Sequence, residues 1–407
     1  MNWDFLIKDK ESLSVSTDTR NLPAGCVYFA LRGETFDGNK FAKQALENGA
    51  SLAVIDNPEY VLPEGTLLVS NTLLALQDLA RAWRRELGLP IIGITGTNGK
   101  TTTKELMATV LSTQYNIHYT QGNLNNQIGV PLTLLQITRA HEMAIVEMGA
   151  SHPGDIKELV DIAEPNYGLI TNVGRAHLQG FGSFEGVQQT KRELYDYLVA
   201  HDGTIFRNAD NPYLEKMLLS ACEDSKFKIQ NSKLYTTGVM PCGTNLVGSY
   251  NAENVSAAIC VGKHFGIARE QALEAIRQYV PTNKRSQFMQ TPKNKLVVDA
   301  YNANPTSMFA SINAFEGDTF ILGEMKELGD YAHLEHQNIV NMLAERKATQ
   351  VYLVGKEWMQ TTAPYACFQD VAELREFILS HPIQNAHILL KGSRGVQLEK
   401  IIDLLHR

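Results

Sequence analysis

The sequence has few cysteines, no long apolar run and no surplus of positive charge, and each lack removes a class of protein. The five cysteines, Cys26, Cys222, Cys242, Cys260 and Cys367, are scattered, odd in number and never spaced as CxxC. A reduced, cytoplasmic protein without structural zinc fits that usage better than a disulfide scaffold. No apolar stretch approaches the ~20 residues that a membrane-spanning helix needs, and the opening MNWDFLIKDKESLSV lacks the apolar centre of a signal peptide. Membrane insertion is not expected. The formal net charge of -7 argues against a general nucleic-acid binder, although it leaves room for a local basic pocket for a phosphorylated small molecule. Internal repeats and low-complexity tracts are also missing.

What is present reads as an ordinary globular chain of 407 residues, 44% hydrophobic and 20% charged. That length exceeds one core, so two or three domains are expected. Residues 1–88 hold short strand-like runs at 26–31, 52–56 and 67–70. A long amphipathic helix follows over 72–88 and stops at Gly88 before Pro90. From 91 to about 280, buried-type strands (91–95, 143–148, 167–173) alternate with helices, the last at 251–266 and 269–279. This pattern favours a parallel sheet covered on both faces. VPTNKRSQ (280–287) reads as a second linker. The remainder repeats the alternation, with strands at 295–301, 319–323, 351–355 and 387–392. The expected fold class is α/β in three domains: a small α/β unit (1–88), a central P-loop-type ATPase unit with a mainly parallel sheet (89–284), and a Rossmann-like unit (285–407).

The most informative stretch is GITGTNGKTTTKE, from Gly93 to Glu105. A strand, a glycine-punctuated turn, Lys-Thr and a helix form a phosphate-binding arrangement. Backbone N–H groups of Gly96, Thr97, Asn98 and Gly99 point at the phosphates, and Lys100 reaches the β and γ oxygens. Thr101 is placed to hold magnesium, while Thr102 and Thr103 occupy the first helical turn near the phosphates. The match to GxxxxGK[ST] is imperfect, because Ile94 stands where the first glycine belongs. Glu147 ends a buried strand, where open parallel sheets hold their ligands, and is the second candidate for magnesium.

GTNGKTTT resembles the nucleotide loop of the Mur ligase superfamily. TQGNLNNQIGVPLTLL (120–135), VEMGASHPGDIKELVDIAEPNYGLITNVGRAHLQGFGSFEGV (146–187) and DAYNANPTSM (299–308) extend the resemblance to its MurF branch. So do STDTR (16–20) and ALRGETFDGNKF (30–41), so the likeness covers nearly the whole chain. It implies an ATP-dependent ligase that adds D-alanyl-D-alanine to a UDP-N-acetylmuramoyl-tripeptide in peptidoglycan precursor synthesis. It also implies a monomer in the cytoplasm, using ATP and Mg2+. The carboxylate is activated as an acyl phosphate, which an amine then attacks; this requires charge neutralisation and in-line positioning.

The resemblance assigns further residues. His177, in TNVGRAHLQGFG, is implied at a second magnesium. Lys191 is implied as a carbamylated lysine, a cation turned into an anion. Thr120, Asn123, Asn125 and Asn126 fall on the substrate side. Asn251 and Asn254 face the adenine or cap a helix, Arg285 reaches the nucleotide phosphates, and Asp299, Asn302 and Asn304 meet the nucleotide from the last domain. Lys284 stands before Arg285 where the family usually has glycine. Ser16, Thr17, Asp18, Thr19 and Arg20, with Arg32, Asp37 and Gly38, resemble the uridine-diphosphate pocket. Lys391, Ser393 and Arg394 are candidates for a carboxylate or phosphate.

Other readings stay open at this point. A related amide ligase of the MurE or folylpolyglutamate synthetase kind shares the fold, but GNLNNQIGVPLT and DAYNANPTSM count against it. A non-catalytic nucleotide-binding module is possible in principle, yet the phosphate and metal positions all carry competent side chains. A guanine switch would need N-K-x-D, and none of the three Asn-Lys pairs has that aspartate. HLEH (333–336) suggests zinc only superficially, since no further ligand pattern is nearby; a solvated helix start is the expectation.

Overall fold

Three sheets follow one another along the chain, each covered by the helices that connect its strands. The computed structural model describes residues 2–222, 231–281 and 285–406. The linker expected at 280–287 lies partly outside these residues, and Lys284 lies wholly outside them. The first sheet has four parallel strands in chain order: Val15–Ser16, Val27–Phe29, Leu52–Ile55 and Thr66–Leu68.

Among the described residues the second sheet has six strands, all parallel. Across the sheet they run Ser232–Tyr235, Thr204–Asn208, Tyr167–Ile170, Ile91–Thr95, Met143–Glu147 and Ile117–Tyr119. Ile91–Thr95 and Met143–Glu147 are buried at every position. Strands covered on both faces read as unbroken apolar runs rather than alternating ones, which is why the sequence exposes them. The chain leaves Ile91–Thr95 toward one edge of the sheet and later returns to its other side. The C-terminal ends of Ile91–Thr95, Met143–Glu147 and Tyr167–Ile170 therefore frame a crevice, where such sheets bind ligands.

In the third sheet, Gln287–Gln290 is an antiparallel edge. Lys295–Asp299, His387–Lys391, Thr319–Gly323, Gln350–Val354 and Ala366–Phe368 follow in parallel. Edge strands such as Ile117–Tyr119 and Gln287–Gln290 are only partly buried, so they lack the apolar run that marks the central ones.

One helix ties the first sheet to the second. Thr72–Leu87 starts at Asn71, whose side chain accepts from Leu74 N at 2.9 Å. It ends at Gly88, in the left-handed region at φ +64°. Its apolar face buries Ala75, Leu76, Leu79, Ala80 and Trp83 against helices Gly129–Leu135 and Asp155–Ala163. Trp83 is fully buried and donates from Nε1 to Ile137 O at 2.8 Å. Next to it, the Arg84 guanidinium donates to Glu164 O and to Asn166 Oδ1, and that same amide oxygen accepts from Ile91 N. Pro90 reads as a boundary in sequence, yet the apolar core passes it without a break. Trp3, Phe29 and Val54 belong to one cluster with Val146 and Leu198.

HLEH differs from its expectation. His333 is exposed, but His336 is fully buried, with its ring edge-on to Trp358 at 4.4 Å between centroids. Its Nε2 accepts from Met325 N and its Nδ1 bonds Ala332 O, so both nitrogens are committed to backbone. The solvated reading fails because His336 lies on the inward face of Ala332–Glu345, and sequence spacing alone did not reveal which face that is.

The shared core has a measurable consequence. Trp83→Ala removes a fully buried aromatic and should cost about 3–5 kcal/mol in chemical denaturation. The first and second sheets should still unfold in one transition. A first sheet that melts separately while the central core stays intact would contradict the continuous core.

Candidate active site

The turn after Ile91–Thr95 has its conformation set by two glycines. Gly96 has φ +141°, and a Cβ there would lie 2.0 Å from Thr171 Oγ1. Gly99 has φ +77°, and a Cβ there would lie 2.5 Å from Asn254 Oδ1. Only glycine combines that backbone with that space. The neighbouring strand end then clamps the turn. Thr97 N donates to Asn172 O, Asn98 N to Asn172 Oδ1, and Thr171 Oγ1 and Asn172 Nδ2 both donate to Asn98 O. Thr97 Oγ1 accepts from Gly174 N at 2.9 Å.

Helix Lys100–Leu111 opens directly from this turn. The Lys100 ammonium folds back onto Gly96 O (2.6 Å) and Thr97 O (3.1 Å). Burial, aided by the Arg285 charge and opposed by Glu147, lowers its pKa to about 8. Thr102 faces the cleft. Thr103 does not: it is fully buried and donates to Asn254 Oδ1 at 3.0 Å. The third threonine therefore joins two helices instead of meeting phosphate, a correction to the sequence reading.

Glu147 is 2% exposed at the end of its strand. Its Oε1 accepts from Asn125 Nδ2 (2.9 Å) and Thr101 Oγ1 (3.3 Å), while its buried Oε2 has no partner among the described residues. An unpaired buried carboxylate oxygen is costly, so this position fits a cation. A hydroxyl and a carboxylate are hard oxygen ligands of the kind magnesium takes, with phosphate and water completing its shell. The support beneath is also polar. Thr120 Oγ1 accepts from Glu147 N, and Thr120 O accepts from the fully buried Lys104 Nζ at 2.5 Å. The sequence reading placed Thr120 on the substrate side and overlooked Lys104. The structure turns Thr120 inward, beneath Glu147.

The loop from Thr97 to Thr102, together with Glu147, lines one side of a cleft of about 770 Å³ between the second and third sheets. Asn125, Asn126, His177, Asn251 and Asn254 line it from the second sheet's side; Arg285, Asp299, Asn302 and Lys391 line it from the other. Tyr250 is the N-cap of helix Asn251–His264, so neither asparagine caps it. Instead, Asn254 Nδ2 donates to Asn251 Oδ1 at 2.9 Å, and Asn251 Nδ2 donates to Val247 O at 2.7 Å. The Arg285 guanidinium lies 4.0 Å from the centre of the Tyr301 ring, and that of Arg394 lies 5.6 Å from it. Lys391, almost fully buried, is paired with Asp299 at 2.5 Å. Ser393 is turned to backbone, accepting from Lys326 N and facing Ala303 O. Asn98 and Asn304 bond to each other.

His177 sits in the left-handed region at φ +50° and pairs with Glu327, a residue that the sequence did not single out. The imidazole holds the Glu327 carboxyl below its usual range. Arg175 adds a 3.1 Å ion pair to Glu335 and a backbone bond to Thr306 Oγ1. Lys191, 2% exposed on helix Phe184–Ala200, has its ammonium 5.7 Å from the Phe181 ring. Burial first, and Lys100 next, hold its pKa well below the ordinary lysine value, against the opposing charges of Asp155 and Glu193.

The candidates in the first sheet form a separate polar cluster and do not line this cleft. Arg20 chelates Asp18, lowering its pKa to about 2, and Asp18 N donates to Ser16 Oγ. Thr19 O accepts from Asn48 Nδ2 at 3.5 Å, and Thr17 lies between these two groups in the chain. Arg32 pairs with Asp56 at 2.8 Å and lies 3.9 Å from Asp37. Gly38 has no room for a side chain, since a Cβ would meet Leu31 O at 2.6 Å. The organisers were missed by sequence reasoning. Buried Asn39 bridges Asp37 and Asp56, and Asp56 accepts from Thr72 N. Asn123 is exposed beside the cleft, its carbonyl accepting from Asn125 N.

Comparison with known proteins agrees with this geometry. Three family models match in order: the Mur ligase family catalytic domain at 13–84, the Mur ligase middle domain at 94–262, and the Mur ligase glutamate ligase domain at 284–394. The chain is 34% identical to the UDP-N-acetylmuramoyl-tripeptide--D-alanyl-D-alanine ligase of Bacillus subtilis, over 96% of this chain and 93% of that protein. It is 35% identical to the enzyme of the same name from Synechocystis, over 98% and 93%. A crystal structure of MurF from Acinetobacter baumannii superposes with a TM-score of 0.83 at 30% identity, over 97% of this chain and 93% of that one. A MurF structure from Thermotoga maritima, 24% identical, shares the fold with a TM-score of 0.84 over 98% of each chain. With the family's models matched in order along most of its length and relatives above 30% identity over nearly all of it, this chain belongs to the Mur ligase family, in its MurF branch.

Proposed function

We propose that the chain is an ATP-dependent amide ligase that joins D-alanyl-D-alanine to UDP-N-acetylmuramoyl-tripeptide. The relatives of that name support the substrates. The observation that carries the chemistry is Glu147, whose unpartnered buried oxygen adjoins the hydroxyl of Thr101 at the mouth of a phosphate loop. Thr101 and Glu147 would hold magnesium, which when bound neutralises charge on the phosphates. Lys100 leaves its loop carbonyls for the β and γ oxygens. Thr97 N and Asn98 N are already spent on Asn172, so the N–H groups of Gly99 and of the first turn of Lys100–Leu111 are the ones that would bind the remaining phosphate oxygens. Transfer of the γ-phosphoryl group to the tripeptide carboxylate gives an acyl phosphate and ADP; attack by the dipeptide amine forms the amide and releases phosphate. The protein's part is positioning and charge stabilisation.

The three units take separate roles. Residues 1–88 bind the UDP-sugar through the cluster of Arg32, Asp37 and Asp18. Residues 89–284 bind ATP, and 285–407 supply Arg285, Asp299 and Asn302 from across the cleft. His177, paired with Glu327 in this structure, would serve a second magnesium if that pair opened. A monomer acting in the cytoplasm is part of this proposal; among the described residues no helix is long and apolar enough to cross a membrane.

The direct test is phosphate release from ATP with both substrates present and with each omitted in turn. Release should require both; release that ignores the dipeptide would overturn the assignment. The same assay has a pH signature. Lys100 is cationic below its lowered pKa and neutral above it, so kcat/KM for ATP should fall as pH rises past about 8. Lys100→Ala should lose ~10²-fold or more in rate and lose that limb of the profile. A flat profile through this range would contradict the role given to Lys100.

Lys191 is proposed to act as its carbamate. Its buried amine lies over the Phe181 ring, and burial lowers its pKa toward the neutral form that CO2 needs. The carbamate would replace a cation by hard oxygens of the kind a second magnesium takes. Lys191→Ala should be nearly inactive and partly restored by acetate or formate. Wild-type activity should fall on CO2 depletion and return with bicarbonate. Failure of both responses would leave Lys191 as a cationic phosphate contact.

A further inference from the structure

The sequence offers Asn98 and Asn304 as two separate nucleotide contacts, one from each side of the cleft. In the structure each uses its side chain on the other. Asn98 Nδ2 donates to Asn304 Oδ1 at 3.3 Å, and Asn304 Nδ2 donates to Asn98 Oδ1 at 2.7 Å, across 206 residues of chain. Each partner is fixed from behind. The Asn98 backbone is held on both its N–H and its C=O by Thr171 and Asn172, so its amide can only project away from the second sheet. Asn304 caps helix Pro305–Ala314: Oδ1 accepts from Ser307 N at 2.9 Å, and the Ser307 hydroxyl completes a capping box. Asn304 is 4% exposed, and its amide is thereby satisfied on both its oxygen and its nitrogen.

A reciprocal amide pair is specific in direction. It forms only when the two planes meet with oxygen opposite nitrogen, and it fails if either side shifts by about the difference between a hydrogen bond and a gap. Adjacent contacts hold the same seam: Arg175 N donates to Thr306 Oγ1 at 3.1 Å, beside the cap, and Gly174 is close enough that a Cβ would meet Thr306 Oγ1 at 2.8 Å. The seam therefore joins the phosphate loop to the first turn of a helix in the third sheet's unit.

We infer that Asn98 and Asn304 are one positioning device, through which the third sheet's unit fixes the phosphate loop in its nucleotide-binding shape. Neither acts as an independent nucleotide contact. The inference rests on the reading that this loop takes the phosphates of ATP. Docking of the last unit and shaping of the loop then become the same event, and loss of either amide removes the whole effect.

A double-mutant cycle on the full chain tests this, with Asn98→Ala, Asn304→Ser and the double variant. Serine keeps the helix cap and removes the amide that reaches Asn98; Asn304→Thr serves the same purpose if the serine variant does not fold. The reading is the dissociation constant for ADP with magnesium, with thermal unfolding as the check that each variant is intact. Each single substitution should weaken binding about fivefold, the scale of a neutral hydrogen bond. The double variant should be no more than about twofold worse than the weaker single. Separate contacts would instead multiply, to about 25-fold by the same scale. Multiplying effects, or singles that bind like wild type, would overturn the inference and leave the ligase assignment standing. Wild-type protein that binds no ADP would overturn the ligase reading and this inference with it.

Discussion

The cleft is organised around one buried carboxylate. Glu147 keeps one oxygen on Asn125 and Thr101 and leaves the other, buried at the floor of the cleft, without a partner among the described residues. Such a group is tolerated in a folded protein only where something else will complete it. The nearby elements are arranged to permit this. The strand that carries Glu147 lies next to the strand that feeds the phosphate loop. Thr120 fixes the Glu147 backbone from one side, and Lys104, fully buried, fixes Thr120. Lys100 stays on its own loop carbonyls and does not neutralise the carboxylate by direct pairing. In the proposed function the cation, the phosphates and the Lys100 ammonium would have separate seats at the ends of two adjacent strands.

A second level of organisation lies between the sheets. The third sheet's unit reaches the second through Asn304, Thr306, Glu327 and Glu335, each meeting a group on or just after the strand ends of the second sheet. His336 contributes from behind: buried, with both ring nitrogens on backbone, it holds the start of the loop that carries Glu327. These are polar and ionic contacts at the edge of a cleft, the kind that can open and re-form without disturbing either core. By contrast, the first sheet is joined to the second through apolar packing around Trp83. The two joints differ in chemistry, one apolar and the other polar and ionic.

Much of this was legible in the sequence wherever the signal was local. Gly96, Gly99, Lys100 and Thr101 are close neighbours, and their chemistry depends on that spacing. Glu147 could be read because a polar residue ending a buried apolar strand is conspicuous. Central strands were visible as apolar runs, whereas the edge strands, half exposed, carry no such mark. Other features depend on tertiary pairing and were hidden. Nothing near Asn304 announces Asn98, and nothing near Glu327 announces His177. Thr103 looked like a phosphate contact by position and proved to be a buried link to Asn254. Lys104 and Asn39 were overlooked because a buried polar side chain is recognised by its surroundings, which the sequence does not display.

The central claim is that Glu147 is left unsatisfied for a cation that accompanies nucleotide. Calorimetric titration with a non-hydrolysable ATP analogue, with and without magnesium, tests this on the wild-type chain and on Glu147→Gln. The account predicts that magnesium tightens binding by the wild type and that Glu147→Gln, folded and still able to bind the analogue, loses most of that tightening. An equal magnesium effect in both proteins would contradict it.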